Sequence, residues 1–113
     1  MIRVKATREG LEGHLTATGF VIDPVVPFVA LPCECAKFRF LKILNPLNGR
    51  GCYAVVLDVG PWNTDDLAYV ACGARPLAEL QPHTNGAGID LGEKVWSLLG
   101  MEDNTEVEWE FLP

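Results

Sequence analysis

Val56-Leu57-Asp58-Val59-Gly60 and Ile89-Asp90-Leu91-Gly92 pose one physical problem twice, with the two aspartates 32 positions apart. Each sets a carboxylate inside an apolar run, beside glycines that let backbone approach backbone closely. An isolated charge in such surroundings is too costly, so each carboxylate must be hydrogen-bonded, paired or protonated. Val21-Ile22-Asp23-Pro24 offers a third, similar setting. Asp58, Asp90 and Asp23 are therefore the residues on which a reading of the chain turns.

The apolar runs around them read as strands. Ile2–Thr7 alternates apolar and polar residues, as a half-buried strand does. Arg8–His14 follows as a glycine-punctuated loop, and Thr16–Ile22 as a second strand stopped by Pro24. Residues 25–32, broken by prolines, read as a buried irregular crossing segment. Lys37–Leu44 alternates and then slips, as a bulged strand would. Asn48-Gly49 is a hairpin signal, and Gly51–Asp58 is the nearly continuous apolar return strand of a closed barrel or a sheet between two layers. Glu106–Leu112 closes the chain with clean alternation.

Between these strands, residues 63–88 form a long loop, with room for one helical turn at Leu77–Leu80. Leu91, Val95, Leu98 and Leu99 fall on one face of a short helix over residues 91–99, with Asp90 as a suitable N-cap and Gly100 as its stop. The expected fold is mainly β: one domain over residues 1–113, a small six-stranded barrel with one short helix.

Composition narrows the function classes. A net charge of −6 lacks the basic stripe that a nucleic-acid binder needs and disfavours attachment to anionic lipid. No apolar run approaches the length that spans a bilayer, so no membrane insertion is expected. The start, Met1–Thr7, has no apolar signal core; a cytoplasmic location as synthesised is expected, unless another route exports the chain. Cys33, Cys35, Cys52 and Cys72 are then expected as reduced, buried thiols, with Cys33 and Cys35 poorly placed to bridge each other along an extended segment. A zinc site from these cysteines and His83 has no second closely spaced pair to complete it. No metal or cofactor is expected.

The run Thr16-Ala17-Thr18-Gly19, then Ile22-Asp23-Pro24, Asp58-Val59-Gly60 and Gly88-Ile89-Asp90, resembles the three-aspartate ("3D") domain. Asn48-Gly49-Arg50, Asp58-Val59-Gly60-Pro61 and Ile89-Asp90-Leu91 resemble rare lipoprotein A equally well. Both families share the double-psi β-barrel with lytic transglycosylase A and the expansin catalytic domain, and the likeness runs over roughly residues 16–112. It implies a groove for a β-linked polysaccharide. In the lytic transglycosylases the aspartate matching Asp90 is general acid and then base, and the one matching Asp58 lies beside it. The cleaved bond is the β-1,4 linkage of a peptidoglycan glycan strand, closed by the sugar's own 6-hydroxyl. This chain departs from the pattern in having Phe28 where rare lipoprotein A has a histidine, a longer spacing between Asp58 and Asp90, and no lipobox. A cell-wall enzyme without an export signal suggests a phage-encoded protein.

The expected site therefore combines Asp90 and Asp58 as catalytic residues with Asp23, Thr18, Trp62, Arg75 and Asn85 as substrate-binding ones. Trp62 would stack on a sugar, Arg75 would bind a carboxylate or hydroxyl, and residues 63–88 would lie over the barrel mouth. The alternative is a non-catalytic glycan-binding or virion structural module on the same barrel, in which Asp90 serves as a helix cap.

Overall fold

The computed structural model describes residues 1–113. Six strands, β1 (Ile2–Glu9), β2 (Phe28–Leu31), β3 (Phe40–Leu44), β4 (Gly51–Val59), β5 (Ile89–Gly92) and β6 (Glu106–Phe111), close into a barrel. Their order around it is β1-β5-β2-β4-β3-β6. Two of the neighbouring pairs are parallel, β1 with β5 and β2 with β4, and the rest are antiparallel. Parallel neighbours need long crossovers. Residues 10–26 and 60–88 both belong to the connection from β1 to β5, and the connection from β2 to β4 runs through β3.

Alternation decides which side chains fill the barrel. Val4, Ala6, Val29, Leu31, Leu41, Ile43, Ala54, Val56, Ile89, Leu91, Val107 and Trp109 point inward and are buried. Their neighbours along each strand point out, and on β6 these are Glu106, Glu108 and Glu110. One place breaks the alternation. Val29 pairs with Val56, but Ala30 pairs with Asp58, so Leu57 is an extra residue in β4. The bulge that the alternation slip suggested in β3 is in β4 instead.

Several expected boundaries move. Gly92 holds extended backbone, and the helix that follows, α2, runs Glu93–Leu98 with no side chain capping it. Asp90 is therefore a strand residue in β5 rather than an N-cap, because its backbone is committed to the ladder with Thr7 and Ala30. Residues 16–22 make no strand: a single bridge, Leu15 to Val21, ties a tight turn at Thr16–Gly19. Residues 28–31 are a fully buried central strand, with the prolines kept just outside it.

The 63–88 segment holds a second short helix, α1 (Leu67–Val70), and a 3₁₀ turn over Leu77–Leu80. It packs against the barrel rather than extending away from it, with Tyr69 and Val70 in the buried core. The Tyr69 hydroxyl donates to the Gly88 carbonyl at 2.8 Å and accepts from Trp109 Nε1 at 2.9 Å. Asp66, also buried, accepts from the Leu77 N–H at 2.7 Å.

Cys33 and Cys35 are joined in a disulfide, against the expectation of reduced thiols. The segment after Cys33 turns into a 3₁₀ helix, Glu34–Ala36, instead of continuing extended, and this brings the two Cα atoms to 5.1 Å. Cys35 and Cys72 are exposed and Cys52 is half-buried, so of the four only Cys33 is fully buried. No helix is long and apolar enough to cross a membrane.

Tyr69→Phe keeps the ring in place and removes one hydroxyl, which leaves a buried carbonyl and a buried indole N–H without partners. Loss of a buried hydrogen-bond partner costs about 1–3 kcal/mol. Thermal unfolding should fall by about 5 °C for each kcal/mol lost. A melting curve unchanged from wild type would show that the 63–88 segment is not held by this pair of bonds.

Candidate functional site

The pairing register brings four residues into one row across neighbouring strands: Thr7 on β1, Asp90 on β5, Ala30 on β2 and Asp58 on β4. All four point outward. Ala30, the smallest of them, separates two carboxylates whose Cα atoms stand two strand spacings apart, about 10 Å. Glu9 lies two residues beyond Thr7 on the same outward face of β1.

Residues 10–26 lie across this row. Asp58 Oδ1 accepts from the Ala17 N–H at 2.9 Å and the Val59 N–H at 2.8 Å. Thr18 Oγ1 donates to the Leu57 carbonyl at 2.7 Å, and Phe20 meets Phe28 edge-on, with ring centres 5.2 Å apart. The cover leaves Ala30 1% and Thr7 8% exposed, although both face away from the core. An outer wall under a loop is a partly dry place for carboxylates.

The electrostatics follow from that dryness. Glu9 has its pKa pushed up to about 9, first by burial, then by a hydrogen bond to Asp58 and by the charges of Asp58 and Asp90. Its Oε2 is shut off from solvent with no hydrogen-bond partner. Burial also opposes ionisation of Asp58, but the Glu9 hydrogen bond and the N–H groups of Ala17 and Val59 outweigh it and hold the carboxyl low. Asp90 is raised by burial and by the nearby Asp58 charge, against the lowering effect of the Thr7 hydroxyl, which donates to its Oδ1. Near neutral pH the face therefore holds one firm anion, Asp58, a protonated Glu9, and an Asp90 shifted toward holding its proton.

A groove of about 330 Å³ opens beside Glu9, lined by Arg8, Gly10, Glu12, Ile22, Pro24 and Glu93. Arg8 does not neutralise Glu9. It forms a two-bond ion pair with Glu93 and lies over the Trp96 ring, 5.6 Å from its centre.

Of the other residues singled out from the sequence, Thr18 sits on the covering loop and Trp62 and Asn85 lie together. Trp62 Nε1 donates to Asn85 Oδ1 at 2.7 Å, and Lys5, one outward position before Thr7, donates to the Asn85 carbonyl at 3.0 Å. Trp62 remains 42% exposed. Asp23 stays outside the cluster: it is exposed, and its Oδ1 accepts from the Val25 N–H at 3.0 Å in its own turn. Arg75 is also elsewhere. It pairs with Glu79 and donates to the Arg3 carbonyl at 2.8 Å, four residues before Thr7 and so about 13 Å along β1.

Glu9 is the member that the sequence reading missed. Arg8-Glu9-Gly10 reads as loop because of its glycine, whereas β1 continues through Glu9 by pairing with Gly92. The signal that points to it is the outward period of two from Lys5 and Thr7. No three Cys, His, Asp or Glu side chains converge closely enough to hold a metal ion, and the Cys33–Cys35 bond removes that pair from any zinc set.

The pKa directions make stability depend on pH. Between the ordinary glutamate value of 4.5 and about 9, the folded chain holds a proton on Glu9 that the unfolded chain has released. That contribution is whole below about pH 4.5 and is lost as pH rises toward 9; Asp90, also raised, adds to the same loss. Asp58 works the other way, contributing above the ordinary carboxylate range and losing its share as pH falls. Denaturant melts should show wild-type stability declining from about pH 5 to pH 9. Glu9→Gln should flatten that decline, and an unchanged slope in the variant would mean that Glu9 ionises normally.

With this geometry in hand, comparison with known proteins adds a family and a fold. Streptomyces papain inhibitor superimposes with a TM-score of 0.58 at 17% identity, over 99% of this chain and 94% of that one. At that identity the likeness is one of fold. No curated protein matches the chain. A family model described as "Domain of unknown function (DUF8814)" matches residues 1–77. The matched part holds Glu9, Ala30 and Asp58 and ends before β5 and Asp90. The chain belongs to the DUF8814 family.

Proposed function

We propose that this chain is a polysaccharide-cleaving domain of the lytic transglycosylase type, acting on the β-1,4 bonds of a peptidoglycan glycan strand. One observation carries the reading: three carboxylates share an outer face, one ionised and two with raised pKa, and one of them, Glu9, lines an open groove. Groups pushed apart in pKa by their surroundings are what acid and base chemistry at neutral pH requires. The likeness of the Asp23, Asp58 and Asp90 motifs to the three-aspartate and rare lipoprotein A domains supports it.

In this mechanism Asp90 donates its proton to the glycosidic oxygen as the bond to the anomeric carbon breaks. The Asp58 carboxylate faces the positive charge that develops on the sugar ring. The sugar's 6-hydroxyl then attacks the anomeric carbon, closes the 1,6-anhydro ring and returns its proton to Asp90. No water molecule is consumed, so the two-carboxylate water-activating arrangement of ordinary glycosidases is not needed. Glu9, neutral and bonded to Asp58, fixes that carboxylate's orientation and keeps a second negative charge off the face. Trp62, held by Asn85, offers a ring to a neighbouring sugar.

A second reading, a non-catalytic protein-binding module, has one observation in its favour. Leu11, Leu15, Val21 and Val25 on the covering loop are all more than half exposed. The Streptomyces neighbour is named a papain inhibitor. In this reading Asp58 is simply the anchor of an apolar binding loop.

The test uses purified peptidoglycan and mass detection of 1,6-anhydro-muropeptides. Wild type should release them, and Asp90→Asn should lower the rate about 100-fold or more, since an amide neither donates nor recovers a proton. The same protein should leave papain activity untouched. Release unchanged in Asp90→Asn would overturn the role of Asp90. No release by wild type, with papain inhibited, would favour the binding loop.

A further inference from the structure

Charge is distributed unevenly along this acidic chain. Between Glu34 and Asp58 there is no acidic residue, yet four of the nine basic ones, Lys37, Arg39, Lys42 and Arg50, fall there. The remainder carries all 15 acidic residues against five basic ones. That basic stretch builds β3, β4 and the turns around them.

Its outward face is aromatic. Phe40 is 59% exposed and Tyr53, diagonal to it across the β3–β4 ladder, is 61% exposed. Lys42 pairs directly with Tyr53. Phe38, also 61% exposed, lies two residues before β3, where its N–H donates to the Val56 carbonyl at 2.8 Å. Phe38 has φ of 65° and is the one non-glycine residue with positive φ. A bulky residue is strained in that region. Here it sets an aromatic ring in solvent rather than in the core. Among the cations, Lys37 is taken up by Glu34, whereas Arg39 and Lys42 make no ion pair. Arg39 stacks over Phe111 at the rim, 3.7 Å from the ring centre, and Glu110 is the carboxylate opposite Lys42 across the β3–β6 ladder.

This face is continuous with the carboxylates. On β4, Tyr53 and Val55 point outward, and the bulge at Leu57 turns Asp58 to the same side. From Tyr53 to Asp58 is about 15 Å along one strand.

We propose that the outer face of β3 and β4, with Phe38, Phe40, Tyr53, Lys42 and Arg39, is a docking platform for an acidic polysaccharide running along β4 toward Asp58. Flat rings one strand apart suit the faces of successive sugars, and the free cations suit acidic groups projecting from them. The choice of a polysaccharide over an acidic peptide rests on the reading of the carboxylate face given above.

The test separates the two ideas by measuring binding without cleavage. Wild-type protein is sedimented with purified peptidoglycan sacculi, with chitin as the uncharged glycan and soluble polyglutamate as the competing acidic peptide. Wild type should bind sacculi more tightly than chitin, and more weakly as salt rises. The double variant Phe40→Ala, Tyr53→Ala should bind about tenfold more weakly, as loss of two exposed contact rings predicts. Lys42→Gln should reduce the salt dependence, and Phe40→Trp should retain binding. All are surface changes, and melting curves check the fold.

Equal binding by the double variant overturns the platform. Equal, salt-insensitive binding to chitin overturns the acidic ligand, and full displacement by polyglutamate overturns the polysaccharide. Platform-dependent binding in a protein that never cleaves overturns only the enzymatic reading.

Discussion

Leu57 is the residue that the β2–β4 ladder skips, and the surroundings of Asp58 follow from that omission. In an unbroken strand Asp58 would share the inward face of Val56, among Val29, Leu31 and Leu41. A carboxylate there would cost several kcal/mol and be forced neutral. The extra residue turns it outward beside Ala30. The Leu57 carbonyl at the bulge is taken up by the Thr18 hydroxyl. The bulge thus both aims the carboxylate and anchors the loop that covers it.

The covering loop in turn sets the charge state of the face. Three acidic side chains stand together, and the nearest arginine, Arg8, is already engaged by Glu93 and Trp96. Only Asp58 receives backbone N–H donors, so the negative charge settles on it. Glu9, with no such donors and an oxygen closed to water, keeps its proton. Two carboxylates of nearly the same intrinsic acidity are driven apart by where the N–H groups point.

The barrel was legible because strand alternation and glycine-flanked apolar runs are local signals. β1, β4 and β6 read nearly as they fold. The errors fall where a non-local pairing overrides a local preference. Asp90 looks like a helix cap, but pairing with Thr7 and Ala30 extends the backbone through Gly92. Glu9 looks like loop beside Gly10, but Gly92 holds it in the sheet. Cys33 and Cys35 look extended until a 3₁₀ turn draws them together. Phe28–Leu31, flanked by prolines, shows its strand only once β4 and β5 stand on either side. Asp58 and Asp90 stand out as misfits in apolar runs, whereas the charge and loop position of Arg75 do not fix where it lies.

The seam between β1 and β6 has a consequence for how the protein is made. Ile2 pairs with Trp109 and Val4 with Val107, so the first strand of the barrel to be synthesised waits for the barrel's last. Its other neighbour, β5, is also synthesised late. Until then β1 has two unsatisfied edges, and the carboxylate row is split between chain already emerged and chain still in the exit tunnel. Contacts of such sequence separation form slowly, and exposed strand edges invite pairing with other chains. The net charge of −6, with glutamates alternating along β6, opposes such pairing by mutual repulsion.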